Sequence, residues 1–500
     1  MDVKDKKSHR KKGGSGGSGS DSGTGSGSGG NGNHGRKQST TTTTTTSNNN
    51  NNSNNNNNNN TTRRNAHQLS NLENLAVQIS NSSKIVSTFC SSSGHPYPAN
   101  SYDHSLPRTK RVLPDDAPES VHRARQTLLE AAHEILQICS EPSEYLEQQQ
   151  INFQQLSCLR WLLHFDILRH IPLKDPIRFD IVAASAEVSI QRLKSVARMA
   201  ITSGLLREPK PNHLAHSRIS AQFVLEPEFL DWAFFMAKYS APTAARFAEA
   251  TDCWGDTTEK NKTSYNIAFG TALPMFDHTA KSKEAAASFV GYMRGVSKSD
   301  GMAQKHVLRA FDWQSLGSAH VVDVGGSTGE TSIMLASHNP KLKFTVQDLP
   351  SVIGDSDAIL RKLDNSISSR ITFMPHDFFK PQPKDICDSA DVYFLRRVLH
   401  DWDLDDARRV LQQILSALKP GAYIVVMDTV LPLPGTVSHL KEATLRCSDL
   451  SMAQCFNSKE RELSDWMRLF ESTGPKLRLK RCIQPPGSIL AMMVVEKETP

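Results

Sequence analysis

The stretch Val321-Val322-Asp323-Val324-Gly325-Gly326-Ser327-Thr328-Gly329 decides how the C-terminal half of this 500-residue chain is read. A short β-branched run enters a turn holding three glycines, and helical sequence follows. Glycine carries no side chain, so such a turn can be tight and a ligand can lie against its backbone amides. The spacing is neither G-x-G-x-x-G nor G-x-x-x-x-G-K, the patterns of pyrophosphate and triphosphate cradles. Asp348 ends the next strand, 19 residues after Gly329. An acidic side chain there can accept hydrogen bonds from both hydroxyls of a ribose. Its plainer role would be a helix N-cap ahead of Leu349-Pro350. Turn and acid together point to a nucleoside cofactor.

Around this step the texture is regular. His320–Val324, Phe344–Gln347, Ile371–Met374, Asp391–Leu395, Tyr423–Met427 and Leu490–Val495 are short, apolar runs separated by helical segments. That alternation predicts an α/β sheet of mainly parallel strands with helices on both faces. Ligands of such sheets sit at the carboxyl ends of the strands. Asp377-Phe378, past the third run, could take an adenine amine and cover its ring. His400, past the fourth, suits removal of a hydroxyl proton, because an unperturbed imidazole titrates near neutrality. Asp401, Asp403, Asp405 and Asp406 precede a clear helix, Leu404–Leu418. They read as acids favoured by its N-terminal dipole, with no metal assigned.

Working toward the N-terminus, residues 281–311 read as a helix and linker and Phe234–Tyr265 as a helical stretch, and 120–260 hold a further pattern. Ile177–Val182 leads into a helix, a turn near Val188-Ser189 and a second helix through Leu193, Val196, Ala197 and Ala200. Leu205–Glu208 and Ser217–Ser220 then read as two short strands. Helix, turn, helix and a two-strand wing predict a winged helix. Its second helix offers only Arg192, Lys194 and Arg198, which argues for dimer contacts over nucleic acid. Leu69, Leu72, Leu75 and Ile79 predict a short helix, and 69–119 a helix with a linker.

Residues 1–68 are almost wholly Gly, Ser, Thr and Asn, a composition unable to bury a core, and they are expected to be disordered. The first 70 residues hold ten basic side chains against Asp2, Asp5 and Asp21, a balance of +7. The whole chain carries +6, so the remainder sums to about −1. The basic balance therefore says nothing about the folded body's partners. His9-Arg10-Lys11-Lys12 reads as a solvated charged terminus rather than an address. No apolar run reaches the roughly 18–20 residues of a membrane span. Eight cysteines without zinc-like spacing fit a reducing compartment. The expectation is a cytoplasmic protein.

DVGGSTG (323–329), QDLP (347–350), HDFF (376–379), LHDW (399–402) and SKERE (458–462) together resemble the small-molecule O-methyltransferases of plants and fungi. Residues 320–470 carry the likeness, which extends over about 120–500 and is nearest the fungal enzymes of phenolic secondary metabolites. It implies a Rossmann-like domain binding S-adenosylmethionine, preceded by a mainly α winged-helix dimerisation domain. By the resemblance, Gly325 and Gly326 lie against the methionine part, Asp348 holds the ribose, and Asp377 and Phe378 the adenine. Arg396 contacts the cofactor, and His400 is the general base, oriented by Asp428 and Glu460. Asp449 and Met452 line the acceptor pocket. The acceptor would be a small hydroxylated molecule, the enzyme a homodimer, and no metal would be required. Two positions depart from the pattern. Arg397 stands where the family usually has an aromatic residue near the adenine, and Asp428 is one carbon shorter than the glutamate common in plant members. The competing reading is a non-catalytic regulator with this fold, binding protein or DNA. A hydride-transferring dehydrogenase fits less well, because the glycine spacing is wrong for a pyrophosphate.

Overall fold

A computed structural model describes residues 69–102, 111–354, 356–474 and 477–497. The low-complexity segment, with its basic cluster, lies outside the described residues, and the chain from residue 68 onward forms one compact unit.

Helices Asn71–Ser93 and Glu119–Cys139 pack on each other along the apolar line Val86, Cys90, Val121 and Ala124. Ser70 and Glu73 start the first with a reciprocal capping box. After the helix Pro142–His164 come β1 (Ile177–Arg178), helices Phe179–Ser185 and Ile190–Thr202, β2 (Leu206–Lys210) and β3 (His213–His216). The three strands form an antiparallel sheet in the order β1-β3-β2. One expectation is corrected here: Ser217–Ser220 is not a strand. The second strand lies just before it, and Ser217 caps a helix, accepting from the backbone N–H groups of Ile219 and Ser220. A serine followed by residues able to turn favours a cap over extension.

The C-terminal half carries β4 (His320–Val324), β5 (Lys343–Asp348), β6 (Ile371–Pro375), β7 (Val392–Arg396), β8 (Tyr423–Leu431), β9 (Arg461–Glu462), β10 (Leu477–Ile483) and β11 (Leu490–Lys497). Their order is β10-β11-β8-β7-β4-β5-β6, with β9 attached to β8. From β8 to β6 every pairing is parallel, and β11 and β10 run antiparallel at one edge. Val321, Val322, Val324, Phe394, Leu395, Val425 and Val426 are fully buried, as strands covered on both faces must be. The chain runs from β4 outward through β5 to β6, then returns across β4 to begin β7. The order reverses between β4 and β7, so a crevice opens at their carboxyl ends.

Helices Pro227–Phe235 and Lys283–Ser297 approach closely. A Cβ on Gly295 would stand 2.3 Å from the Glu228 carbonyl oxygen, a backbone atom that cannot rotate away. That approach brings Phe289 and Tyr292 against Phe235.

Candidate active site

The first wall is the glycine turn. Gly325, Ser327 and Gly329 all have positive φ, at +71°, +50° and +71°, so the loop doubles back before the helix Glu330–His338. The amides of Gly325 and Gly326 are not free for a ligand: both donate to the Gln347 carbonyl, at 2.8 and 3.1 Å. What the glycines provide is closeness. A Cβ on Gly326 would meet the Asp323 carboxyl carbon at 2.7 Å, and one on Gly325 the Val398 side chain at 2.8 Å. Asp323 is buried under the turn, accepts from the Ser332 hydroxyl at 2.6 Å, and burial pushes its pKa up to about 6.

Asp348 ends β5 beside this turn. One carboxylate oxygen accepts from the Ser327 N–H and the other from the Leu349 N–H, both at 2.8 Å. Each keeps a lone pair, so the side chain can still take two hydroxyl donors. No helix starts directly after it, which removes the N-cap alternative; the next begins at Ser356. Asp377 closes a turn by accepting from the Phe379 N–H at 2.9 Å. Phe378 and Phe379 meet the Trp402 ring nearly edge-on, at 5.8 and 4.7 Å. Arg396 is half-buried at the end of β7. Its Nη2 donates to the Met302 carbonyl at 2.7 Å, while Nε has no partner. Burial, then Arg397, lowers its pKa to about 10.

The second wall is the turn Leu399–Asp401, which presents His400. Nδ1 of His400 lies 2.9 Å from Glu460 Oε1, and that oxygen also accepts the Ser448 hydroxyl at 2.6 Å. A carboxylate can only accept, so Nδ1 carries the hydrogen and Nε2 is left to receive a proton. Asp428 stands 3.9 Å from Nδ1, beyond hydrogen-bond reach, and neither of its buried oxygens has a partner. The shorter side chain thus acts on the imidazole as a charge and not through a bond. Asp401 Oδ1 lies 3.6 Å from Nε2, on the proton-accepting side. Asp403 instead caps the helix Leu404–Ala417, accepting from the Asp405 and Asp406 N–H groups.

Burial disfavours a charged imidazole, yet the fields of Asp401, Asp428 and Glu460 and the Glu460 bond outweigh it, raising His400 to about 9. Burial pushes Asp428 up to about 7. Glu460 would also rise by burial, but the His400 charge and the bonds from His400 and Ser448 hold it below its usual value.

Residues passed over in the sequence hold this turn. Arg461, itself buried, donates to the carbonyls of Leu399 at 2.8 Å and Trp402 at 2.6 Å. Ser458 donates to the His400 carbonyl at 2.7 Å. Lys260 joins the carbonyls of Asp401 and Phe456, at 3.2 and 2.9 Å. Asp449, expected in the acceptor pocket, accepts the Glu460 backbone N–H at 3.0 Å and so fixes that acid's segment. Met452 packs against an aromatic cluster of Phe235, Tyr239, Tyr265, Phe289, Tyr292 and Phe456.

Residues 254–476 match the family model of the O-methyltransferase domain. Residues 69–139, the two N-terminal helices, match that of the trypacidin cluster transcriptional coactivator tpcD N-terminal domain. The chain is 46% identical to O-methyltransferase VdtC of Byssochlamys spectabilis, over 86% of this chain and 98% of that one. It is 42% identical to O-methyltransferase aoiF of Aspergillus oryzae, over 84% and 99%. The chain belongs to this O-methyltransferase family, and S-adenosylmethionine is accordingly its methyl donor. Among solved structures, OxaC superposes with a TM-score of 0.66 at 19% identity, covering 85% of this chain and all of that one. The mitomycin 7-O-methyltransferase MmcR does so with 0.59 at 22%, covering 75% and 100%. A structure titled "A Pericyclic Reaction enzyme" matches with 0.64 at 22%, covering 75% and 94%. These likenesses show the fold, which by itself does not choose a reaction.

Proposed function

We propose that this protein methylates a phenolic hydroxyl of a small secondary metabolite, with His400 as general base. The observation that carries this is the 2.9 Å pairing of His400 Nδ1 with Glu460 in a buried turn at the sheet's reversal point. When bound, S-adenosylmethionine supplies a methyl group on a sulfonium, open to in-line displacement. Asp348, with two spare lone pairs, would hold its ribose, Asp377 and Phe378 its adenine, and the unpartnered Arg396 Nε and the side-chain-free Gly325 and Gly326 its methionine part. His400 Nε2 takes the hydroxyl proton as the oxygen becomes the nucleophile. Glu460 keeps the proton on Nδ1 and balances the imidazolium that forms. Asp428 adds negative charge behind the ring, and Met452 with the aromatic cluster shields the pocket from water.

Isotope-labelled S-adenosylmethionine and a panel of phenols test the reading. Label should move to oxygen of at least one phenol; a protein that binds the cofactor yet labels none would refute it. The regulator alternative finds support in the coactivator-like helices at 69–139, but an intact base and acid pair have no use in it.

Among the described residues no helix is long and apolar enough to cross a membrane, and a cytoplasmic enzyme accords with the unpaired cysteines. We read residues 69–119 as a helical lead-in, 120–260 as a winged-helix dimerisation domain and 261–500 as the catalytic domain. The two helices and three-stranded sheet over 177–216 support this, as do exposed Leu136, Leu146 and Phe153 on the adjoining helices. Sedimentation equilibrium should give twice the chain mass, and a monomer at micromolar concentration would remove the dimer.

A further inference from the structure

Lys260 lies in the loop between the helices Phe247–Trp254 and Ser264–Phe269, outside the sheet, yet its ammonium reaches the turn that presents His400. It donates to the Asp401 carbonyl at 3.2 Å and to the Phe456 carbonyl at 2.9 Å. An ammonium has three hydrogens. The third is left for the Trp402 ring, centred 5.4 Å away, or for the Asp403 carboxylate at 4.0 Å. The side chain is only 21% exposed; burial and Arg461 oppose its charge, while Asp403, Asp406 and Asp401 favour it. The loop is held from the other side as well. Asn457, itself at φ +46°, donates from Nδ2 to the Glu259 and Lys262 carbonyls at 2.7 and 3.0 Å.

The turn depends on such outside support. Its own backbone bonds, from the Asp401 and Trp402 N–H groups to the Val398 and Leu399 carbonyls, are both stretched to 3.4 Å. Asp401 also places its carboxylate 3.6 Å from His400 Nε2, so a shift of its peptide moves base and carboxylate together. On the other side, Trp402 meets Phe378 and Phe379 nearly edge-on, and the reading above gives Phe378 to the adenine. Lys260 therefore touches both ends of one short path, the ring that backs the adenine wall and the carbonyl next to His400. We propose that Lys260 is a positioning residue that couples occupation of the adenine pocket to the placement of His400. A ligand against Phe378 steadies Trp402 and the ammonium over its ring, and the ammonium steadies the Asp401 peptide and with it the imidazole. This rests on the methyltransferase reading above and adds to it a link between cofactor and base.

The probe is S-adenosylhomocysteine, which carries the adenine without a methyl group to transfer. The readout is amide hydrogen exchange across Leu399–Trp402 in the full chain, with saturation fixed by calorimetry. In wild type, saturation should slow exchange there roughly fivefold or more, the size of an ordinary coupling between two sites. Lys260→Met keeps the stem and loses the ammonium, so its turn should exchange at one rate with and without the ligand. Lys260→Arg, which restores charge and donors, should recover most of the slowing. A lysine that merely props the turn gives a different result. Lys260→Met then exchanges faster in both states and keeps the wild-type ratio, and that outcome overturns the proposal. So does a wild-type turn that ignores the bound ligand. Where Lys260→Met fails to fold, Trp402→Leu breaks the same path at the ring, and undiminished slowing in it overturns the proposal equally. Wild type that does not bind the ligand strikes the methyltransferase reading instead.

Discussion

His400→Gln lowers the turnover number for methyl transfer by roughly 10²–10⁴-fold, the usual contribution of a positioned general base. Glutamine keeps much of the imidazole's volume and can still donate to Glu460, so the turn held by Arg461, Ser458 and Lys260 should survive. His400→Ala is the harsher variant, because it leaves Glu460 buried with Ser448 as its remaining side-chain partner and removes the imidazole that faces Asp428 at 3.9 Å. The measurement is single-turnover kinetics at saturating cofactor and acceptor, with the melting temperature recorded beside it. A folded His400→Gln protein retaining more than a tenth of wild-type turnover would exclude the imidazole as base.

The second large effect is on pH. A base that titrates at about 9 in the free enzyme is neutral to only roughly 1% at pH 7 and to about half at pH 9, so kcat/KM should climb about 50-fold between them. Glu460→Gln removes one of the three acids that raise the imidazole, and the rising limb should shift to lower pH. Stability runs the opposite way. The raised folded-state pKa of His400 stabilises the protein below its unfolded value near 6.5, and that contribution is lost as pH passes 9. Asp428, raised from 3.8 to about 7, is stable as the acid and costs stability as pH climbs from about 4 to 7. The enzyme should therefore be most active where it is least stable, and a flat kcat/KM profile between pH 7 and 9 would contradict the three-acid cluster.

Much of this architecture was legible because parallel strands covered on both faces must be continuously apolar. That is why β4, β5, β7 and β8 stood out; antiparallel β11 did so because it too is covered on both faces, and the edge strand β6 through its apolar Ile371, Phe373 and Met374. β10 did not. Leu477-Arg478-Leu479-Lys480-Arg481-Cys482-Ile483 is an edge strand with a solvent face, and its basic residues mask its period. Arg461 was hidden in the same manner, since Lys459-Glu460-Arg461-Glu462 looks like a solvated charge run. Only packing makes it a buried clamp on two carbonyls.

The residue types at the strand ends, Asp348, Asp377, Arg396 and His400, could be read one by one, because each motif is local and its chemistry follows from its side chain. Glu460 and Asp428 could be named but not measured. They lie 60 and 28 residues from His400, and whether a carboxylate bonds an imidazole or merely faces it is settled by less than 1.5 Å of backbone placement. The fold gives Glu460 the bond and leaves Asp428 a full ångström farther away, at 3.9 against 2.9 Å. The strand-turn-helix step at Val321–Gly329 behaves likewise. Its glycines foretold a tight approach at the sheet's edge, but their amides turned inward to Gln347. Local sequence determines which chemistry a position can offer; the pairing of distant elements across the sheet determines which atoms are still free to offer it.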